Sequence, residues 1–231
     1  MLPLRDENPH PPGFKPKITI ALIIINVIVF GIEVAITGQF IEFSNYEAMN
    51  MFLNWGAVPG CVTGQIDGIN TGAEIINCPA IPELTLITST FMHGGIMHLG
   101  GNMLFLWIFG DNIEAKFGKV KYIGIYLMWG VGAGLIHIYG DAGSGIPAVG
   151  ASGAIAGILG AYLVMFPRAK VMTFVMLGFF WRMMHIPAKF FLPFWLIFQN
   201  LLPFFVGGFG VAGGGVAFLA HIGGFFLGLG V

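Results

Sequence analysis

Six stretches of roughly 20 residues, at 18–38, 90–110, 122–139, 148–166, 190–206 and 213–231, are apolar on every side rather than along one stripe. A helix on the surface of a soluble domain keeps a polar face, whereas one crossing a hydrocarbon layer about 30 Å thick needs some 20 apolar residues and no such face. With 56% hydrophobic and 9% charged residues, a soluble fold of this length would lack the polar surface to stay dissolved, so the lipid bilayer is the solvent. The reading is an all-α, six-span membrane bundle over 18–231, preceded by a short segment over 1–17. The first apolar run is too long for the h-region of a secretory signal, and five more follow it.

Basic residues favour the cytoplasmic side of a membrane. Arg5, Lys15 and Lys17 precede the first span, Lys116, Lys119 and Lys121 separate the second from the third, and Arg168, Lys170, Arg182 and Lys189 separate the fourth from the fifth. These are all ten basic residues, and six crossings put every one on the same side. The connections 39–89, 140–147 and 207–212 carry none. Both termini are then cytoplasmic, in the plasma (cell) membrane.

Val171 to Met184 is nearly as apolar as a span but too short for one, and a crossing there would place Lys189 outside; it is read as an interfacial or re-entrant cytoplasmic piece. The outer loop over 39–89 is too long to be a mere connection and is expected to pack on or in the outer leaflet. It holds Cys61 and Cys78, for which a disulfide and two free thiols both remain open. Two cysteines supply no zinc cluster, and a net charge of −1 gives no argument for a nucleic-acid partner.

Ionisable and hydrogen-bonding side chains at membrane depth are costly, and so are functional candidates. His98 and Asn102 in the second span, Ser152 in the fourth and His221 in the sixth stand out. At about 1.5 Å per residue, Ser152 lies ~22 Å above Pro167, His98 ~18 Å above Gly110, and His221 ~12 Å below Gly213. All three therefore fall roughly 8–12 Å beneath the outer face of a ~30 Å core, with Asn102 one turn deeper.

A serine hydroxyl becomes a useful nucleophile beside a neutral imidazole that takes its proton, so His221 can serve Ser152. Ser152 lies near the start of its helix, where unpaired backbone N–H groups and the dipole favour an oxyanion, and His98 and Asn102 add side-chain donors. Gly150, Gly153, Gly157 and Gly160 beside the serine, and Gly215, Gly224 and Gly228 beside the histidine, allow the close helix packing that a Ser–His contact needs. Each feature has an ordinary reading too. A lone Gly-x-Ser-Gly is usually packing, a lone membrane histidine often a structural hydrogen-bonder or part of a transport path, and Asn102 a bridge between helices. Joint placement at one depth favours catalysis. Glu33 is expected to reach the interface, and His10, His137 and His185 receive no role.

The chain resembles the rhomboid intramembrane serine proteases from about Thr88 onward. The resemblance is carried by His93-x4-His98-x3-Asn102, a Gly110-Asp111-Asn112-x-Glu114 turn with Phe117-Gly118, Gly150-Ala151-Ser152-Gly153, Phe166-Pro167-Arg168 and Ala220-His221-x-Gly223-Gly224. It implies a Ser152–His221 dyad without an acidic third member and an oxyanion site formed by His98, Asn102 and the Ser152 backbone amide. It further implies a cavity open to the extracytoplasmic side, another protein's transmembrane helix as substrate, no metal and no cofactor. Glu114 resembles a structural acid of the family. The alternative is a catalytically inactive rhomboid-like protein that binds transmembrane helices, although such relatives typically lack the serine or the histidine. Trp55 is followed by Gly56 where some members have arginine, and Ala156 stands where some have a tyrosine stacked on the histidine. What orients His221 is left open.

Overall fold

The computed structural model describes residues 1–72, 74–177, 180–207 and 217–231. Nearly all of the 207–212 connection, the start of the sixth apolar window and Gly215 lie outside them. Among the described residues the chain is mostly helical rather than wholly so.

The first long helix, α1 (Lys17–Thr37), has no side-chain cap of its own behind Pro16. Its free N–H groups are met from another helix: the Glu114 carboxylate accepts from the Ile18 and Thr19 amides at 3.0 and 2.8 Å and from Thr19 Oγ1 at 2.9 Å. A buried carboxylate on the positive end of a helix is a favourable pairing. At the other end, Gly38 takes a left-handed φ of 66° and its N–H returns to the Val34 carbonyl, which stops the helix.

The loop over 39–89 folds back over that end. It carries the short helices α2 (Tyr46–Trp55) and α3 (Pro59–Val62), a hairpin of β2 (Gly68–Asn70) and β3 (Ile75–Asn77) after an N-terminal strand β1 (Leu2–Asp6), and helical turns including α4 (Thr85–Thr88). Cys61 and Cys78 are joined by a disulfide, with Cα atoms 5.5 Å apart. Phe30 of α1 packs with Phe43, Met51 and Met92 of this loop. Glu33, expected at the interface, is thereby covered: it is 2% exposed, and its carboxylate accepts from the His93 N–H at 3.1 and 3.3 Å.

Helix α5 (Ile96–Phe117) is followed at once by α6 (Lys119–Gly140), the two separated by Gly118 at a φ of 73°. The Gly110–Glu114 stretch, read from the sequence as a turn, is instead the last part of α5. Its polar residues need no turn because they find partners: Asn112 Nδ2 donates to Asp6 at 3.0 Å, its Oδ1 accepts from Asn8 at 2.7 Å, and Glu114 caps α1. The core gathers around α7 (Ser152–Met165), against which Phe109, Trp129, Phe191 and Phe225 pack. A rod of α8 (Ala188–Leu196), a wider turn over Ile197–Leu201 and α9 (Leu202–Gly207) precedes the last helix, α10 (Phe218–Leu229).

Among the described residues, three helices, Lys17–Thr37, Lys119–Gly140 and Ala188–Phe205, are long and apolar enough to cross a membrane by length and composition. With 14 and 12 residues, α7 and α10 are shorter than their windows. Residues 148–151, counted within the fourth window, form a non-helical turn ahead of α7.

The segment after α7 corrects the expectation of helices throughout. Strands β4 (Lys170–Leu177) and β5 (Phe180–Pro187) pair antiparallel, and β1 adds to β4 with Leu2 opposite Phe174 and Asp6 opposite Val171. Val171, Thr173 and Val175 are buried while their neighbours are more open, the period of two that marks a strand. Pairing within the hairpin also removes any seventh helix. Asp6, the last residue of β1, accepts from the Tyr162 hydroxyl at 2.6 Å, and burial lifts its carboxyl above the ordinary range although that bond and the one from Asn112 pull it back.

Glu114→Ala leaves the start of α1 buried without an acceptor and costs about 1–3 kcal/mol. A lower thermal midpoint in detergent, with unchanged reactivity per folded molecule, is the expected result. Replacing both cysteines by serine, or reducing the disulfide, is expected to cost about 3 kcal/mol for a loop of this size, read as earlier thermal unfolding and faster proteolysis in 57–78.

Candidate active site

Ser152 is the first residue of α7, and the residue before it, Ala151, offers no side-chain cap. The amides of this first turn thus point away from the helix with no side-chain acceptor in front of them. His221 is carried by α10, whose facing edge is bare. A Cβ on Gly224 would overlap the Gly153 carbonyl, and one on Gly228 the Gly157 carbonyl. That absence brings the two backbones into contact and sets His221 Nε2 2.6 Å from Ser152 Oγ. Gly153 also abuts Ala133, and Gly157 faces the Trp129 ring.

Gly150 does a different job from the helix packing foreseen for it. It sits in the turn before α7 at a φ of 131°, tied by its N–H to the Ser89 carbonyl at 2.8 Å. A Cβ there would stand 2.8 Å from His98 Nε2 and 3.5 Å from Ser152 Oγ. The missing side chain therefore makes room for an imidazole beside the serine. His98 Nδ1 accepts from the Gly94 N–H at 3.2 Å, so in the neutral ring the hydrogen resides on Nε2, the nitrogen at Gly150. Asn102 is 8% exposed, and its Nδ2 has no hydrogen-bond partner among the described residues. A helix start, an imidazole N–H and a free amide N–H are the kinds of donor that hold an oxyanion.

The loop over 39–89 braces this turn. Ala57 and Ala148 exchange both backbone hydrogen bonds at 3.0 and 2.9 Å, Gly60 N–H reaches the Ser144 carbonyl at 2.8 Å, and Thr63 Oγ1 donates to the Ala142 carbonyl at 2.7 Å. On its far side His221 has a neighbour that sequence reasoning passed over: Asn200 Oδ1 lies 2.6 Å from Nδ1. The signal for it was an amide inside an apolar span. Trp195 packs beside His221, 6.2 Å between ring centres. The His93 ring meets that of His98, 5.1 Å between centres. His10 faces Asp111 at 3.2 Å and His185 faces Glu7 at 3.1 Å, while His137 is held in α6. No group of three metal-ligating side chains occurs among the described residues.

The sequence profile of the Rhomboid domain matches residues 83–231. The chain belongs to the rhomboid family. It is similar to Rhomboid protein 1, mitochondrial, of Saccharomyces cerevisiae, with 28% identity over 151 residues, 64% of this chain and 40% of that protein. RHOMBOID-like protein 5 of Arabidopsis thaliana is 38% identical over 78 residues, 34% of this chain and 25% of the relative. The human Presenilin-associated rhomboid-like protein, mitochondrial, is 32% identical over 88 residues, 37% of this chain and 23% of the relative. The chain thus spans less than half the length of these relatives. Two of the three names speak of mitochondria and none of the cell membrane, so the plain conclusion is a membrane protein of the rhomboid family.

Gly150→Val places branched carbons against the His98 ring in a backbone conformation that such residues rarely adopt. Loss of most serine-probe labelling, with a folded protein by thermal melt, is the expected outcome.

Proposed function

We propose that this rhomboid-family chain is an intramembrane serine endopeptidase that hydrolyses a peptide bond in or near the transmembrane segments of other membrane proteins. The observation that carries the reading is the 2.6 Å approach of His221 Nε2 to Ser152 Oγ beside an uncapped helix start. As Ser152 Oγ attacks the scissile carbonyl, His221 takes the hydroxyl proton, and the carbonyl oxygen becomes an oxyanion facing the Ser152 amide, His98 and Asn102. Collapse of that intermediate breaks the C–N bond, with His221 returning the proton to the leaving amine. Water, deprotonated by the same histidine, then releases the acyl group and restores the serine.

In this reading six helices cross the bilayer, α7 and α10 doing so with their outer ends below the surface, where irregular backbone is buried in protein or lines a wet cavity. The sheet built on β4 and β5 and both termini face the cytoplasm, and the site opens to the extracytoplasmic side of the cell membrane. Support comes from the ten basic residues sharing one side and from a disulfide on the other, where oxidising conditions allow it.

Purified protein is expected to cleave a single-span substrate and to react with a fluorophosphonate, and Ser152→Ala or His221→Ala to abolish both. Asn102→Ala, which removes one oxyanion donor, is expected to lower kcat by about 100-fold or more. A folded wild type that neither cleaves nor labels would assign the chain to the helix-binding, inactive alternative instead.

A further inference from the structure

Asn200 lies on the face of the rod already occupied by Leu192 and Leu196, and it is 1% exposed. A primary amide in such a position must find partners for both its ends. It does so inside the wider turn of Ile197–Leu201, where the Leu202 N–H returns to the Ile197 carbonyl, five residues back. Turns of this kind insert one residue into a helix and recur at functional sites. Here Asn200 Nδ2 donates to the Trp195 carbonyl at 3.3 Å, and Oδ1 faces His221 Nδ1 at 2.6 Å.

The hydrogens of this chain of contacts follow from which groups can only accept. A backbone carbonyl has no hydrogen to give, so Trp195 turns the NH2 end of Asn200 toward itself and the oxygen toward His221. That oxygen likewise only accepts, so the hydrogen between Asn200 and His221 belongs to Nδ1. A neutral imidazole with hydrogen on Nδ1 has a bare Nε2, and Nε2 is the nitrogen 2.6 Å from Ser152 Oγ. The opposite tautomer would set two lone pairs against each other at Asn200 and point an N–H at the nucleophile.

We infer that Asn200 is the positioning residue of the site: its carbonyl oxygen fixes His221 in the tautomer that can take the proton of Ser152. The role rests on the protease reading. Asn200 touches neither the substrate nor the reacting atoms and acts through the imidazole. When His221 becomes an imidazolium, both its N–H groups are met, Nδ1 by Asn200 and Nε2 by the serine oxygen. A neutral amide performs this without burying a carboxylate in the span, which is costly at membrane depth.

The test uses the full chain in detergent with 15N-labelled histidine, the His221 ring signals being assigned by their loss in His221→Gln. Wild type should show the Nδ1–H form. Asn200→Leu, similar in size but without an acceptor, should shift the ring toward the Nε2–H form and lower kcat and fluorophosphonate labelling roughly 10- to 1,000-fold, with KM within about twofold. Asn200→Asp keeps an acceptor oxygen and should recover at least tenfold of that loss. Asn200→Ala repeats the comparison if the leucine variant does not fold. An unchanged tautomer together with wild-type labelling in the leucine or alanine variant would overturn the assignment, as would an aspartate variant no better than leucine. A wild type with the Nδ1–H form but no cleavage sinks the protease reading and leaves the tautomer assignment standing. Active wild type with the Nε2–H form sinks the Asn200 role alone.

Discussion

The contact between the bare edges of α7 and α10 is what the rest of the arrangement depends on. Lipid tails are as apolar as leucine, so helices in a bilayer gain little by hiding apolar surface from one another and instead hold together by close approach. Gly153 with Gly224, and Gly157 with Gly228, take that approach to backbone against backbone. A methyl group at either pair would force the helices apart. The Ser152–His221 distance is therefore set by side chains that are missing, and the surrounding aromatic rings of Phe109, Trp129, Phe191 and Phe225 close around the pair.

Main-chain groups also do much of the electrostatic positioning. The first turn of α7 is left without a side-chain cap, the Gly94 N–H decides which nitrogen of His98 carries hydrogen, and the Trp195 carbonyl decides how Asn200 is turned. The two imidazoles near the serine are thereby held in opposite tautomers, one as a donor and one as an acceptor. Such groups are available because the backbone departs from regular helix at those places: before α7, before α5 and in the wide turn ahead of α9. In a bilayer, freed polar backbone is tolerated only where protein or a wet cavity receives it.

Much of this was legible in the chain of letters, and for physical reasons. Cost at membrane depth singled out Ser152, His221, His98 and Asn102; in the structure Ser152 meets His221, His98 lies across Gly150, and Asn102 follows His98 by one helical turn of α5. The same cost applied to Asn200, but nothing in its local sequence tied it to His221, which lies on a different helix and meets it only in the folded chain. Glu33 was misplaced since no local pattern tells that a distant loop will cover the end of α1. Gly110 to Glu114, read as a turn from the family motif, stays helical because its polar groups find partners near the start of the sequence and in α1. For 171–184 the high hydropathy hid a clear alternation of Val171, Thr173 and Val175, the period of a strand. Gly150 carried a signal for small size but not for whether a helix or an imidazole would fill the space.

The pairing of Leu2 with Phe174 joins strands 172 residues apart in the chain (174 − 2). A ribosome delivers β1 well before β4, so the edge that completes its hydrogen bonds exists only once α1, α5, α6 and α7 have been made and the following strand has emerged. Until then those peptide groups remain solvated, and local helices form well ahead of a contact so distant along the chain. Docking of β1 onto β4 thus serves as a latch that closes only after the long helices α1, α5, α6 and α7 have been made.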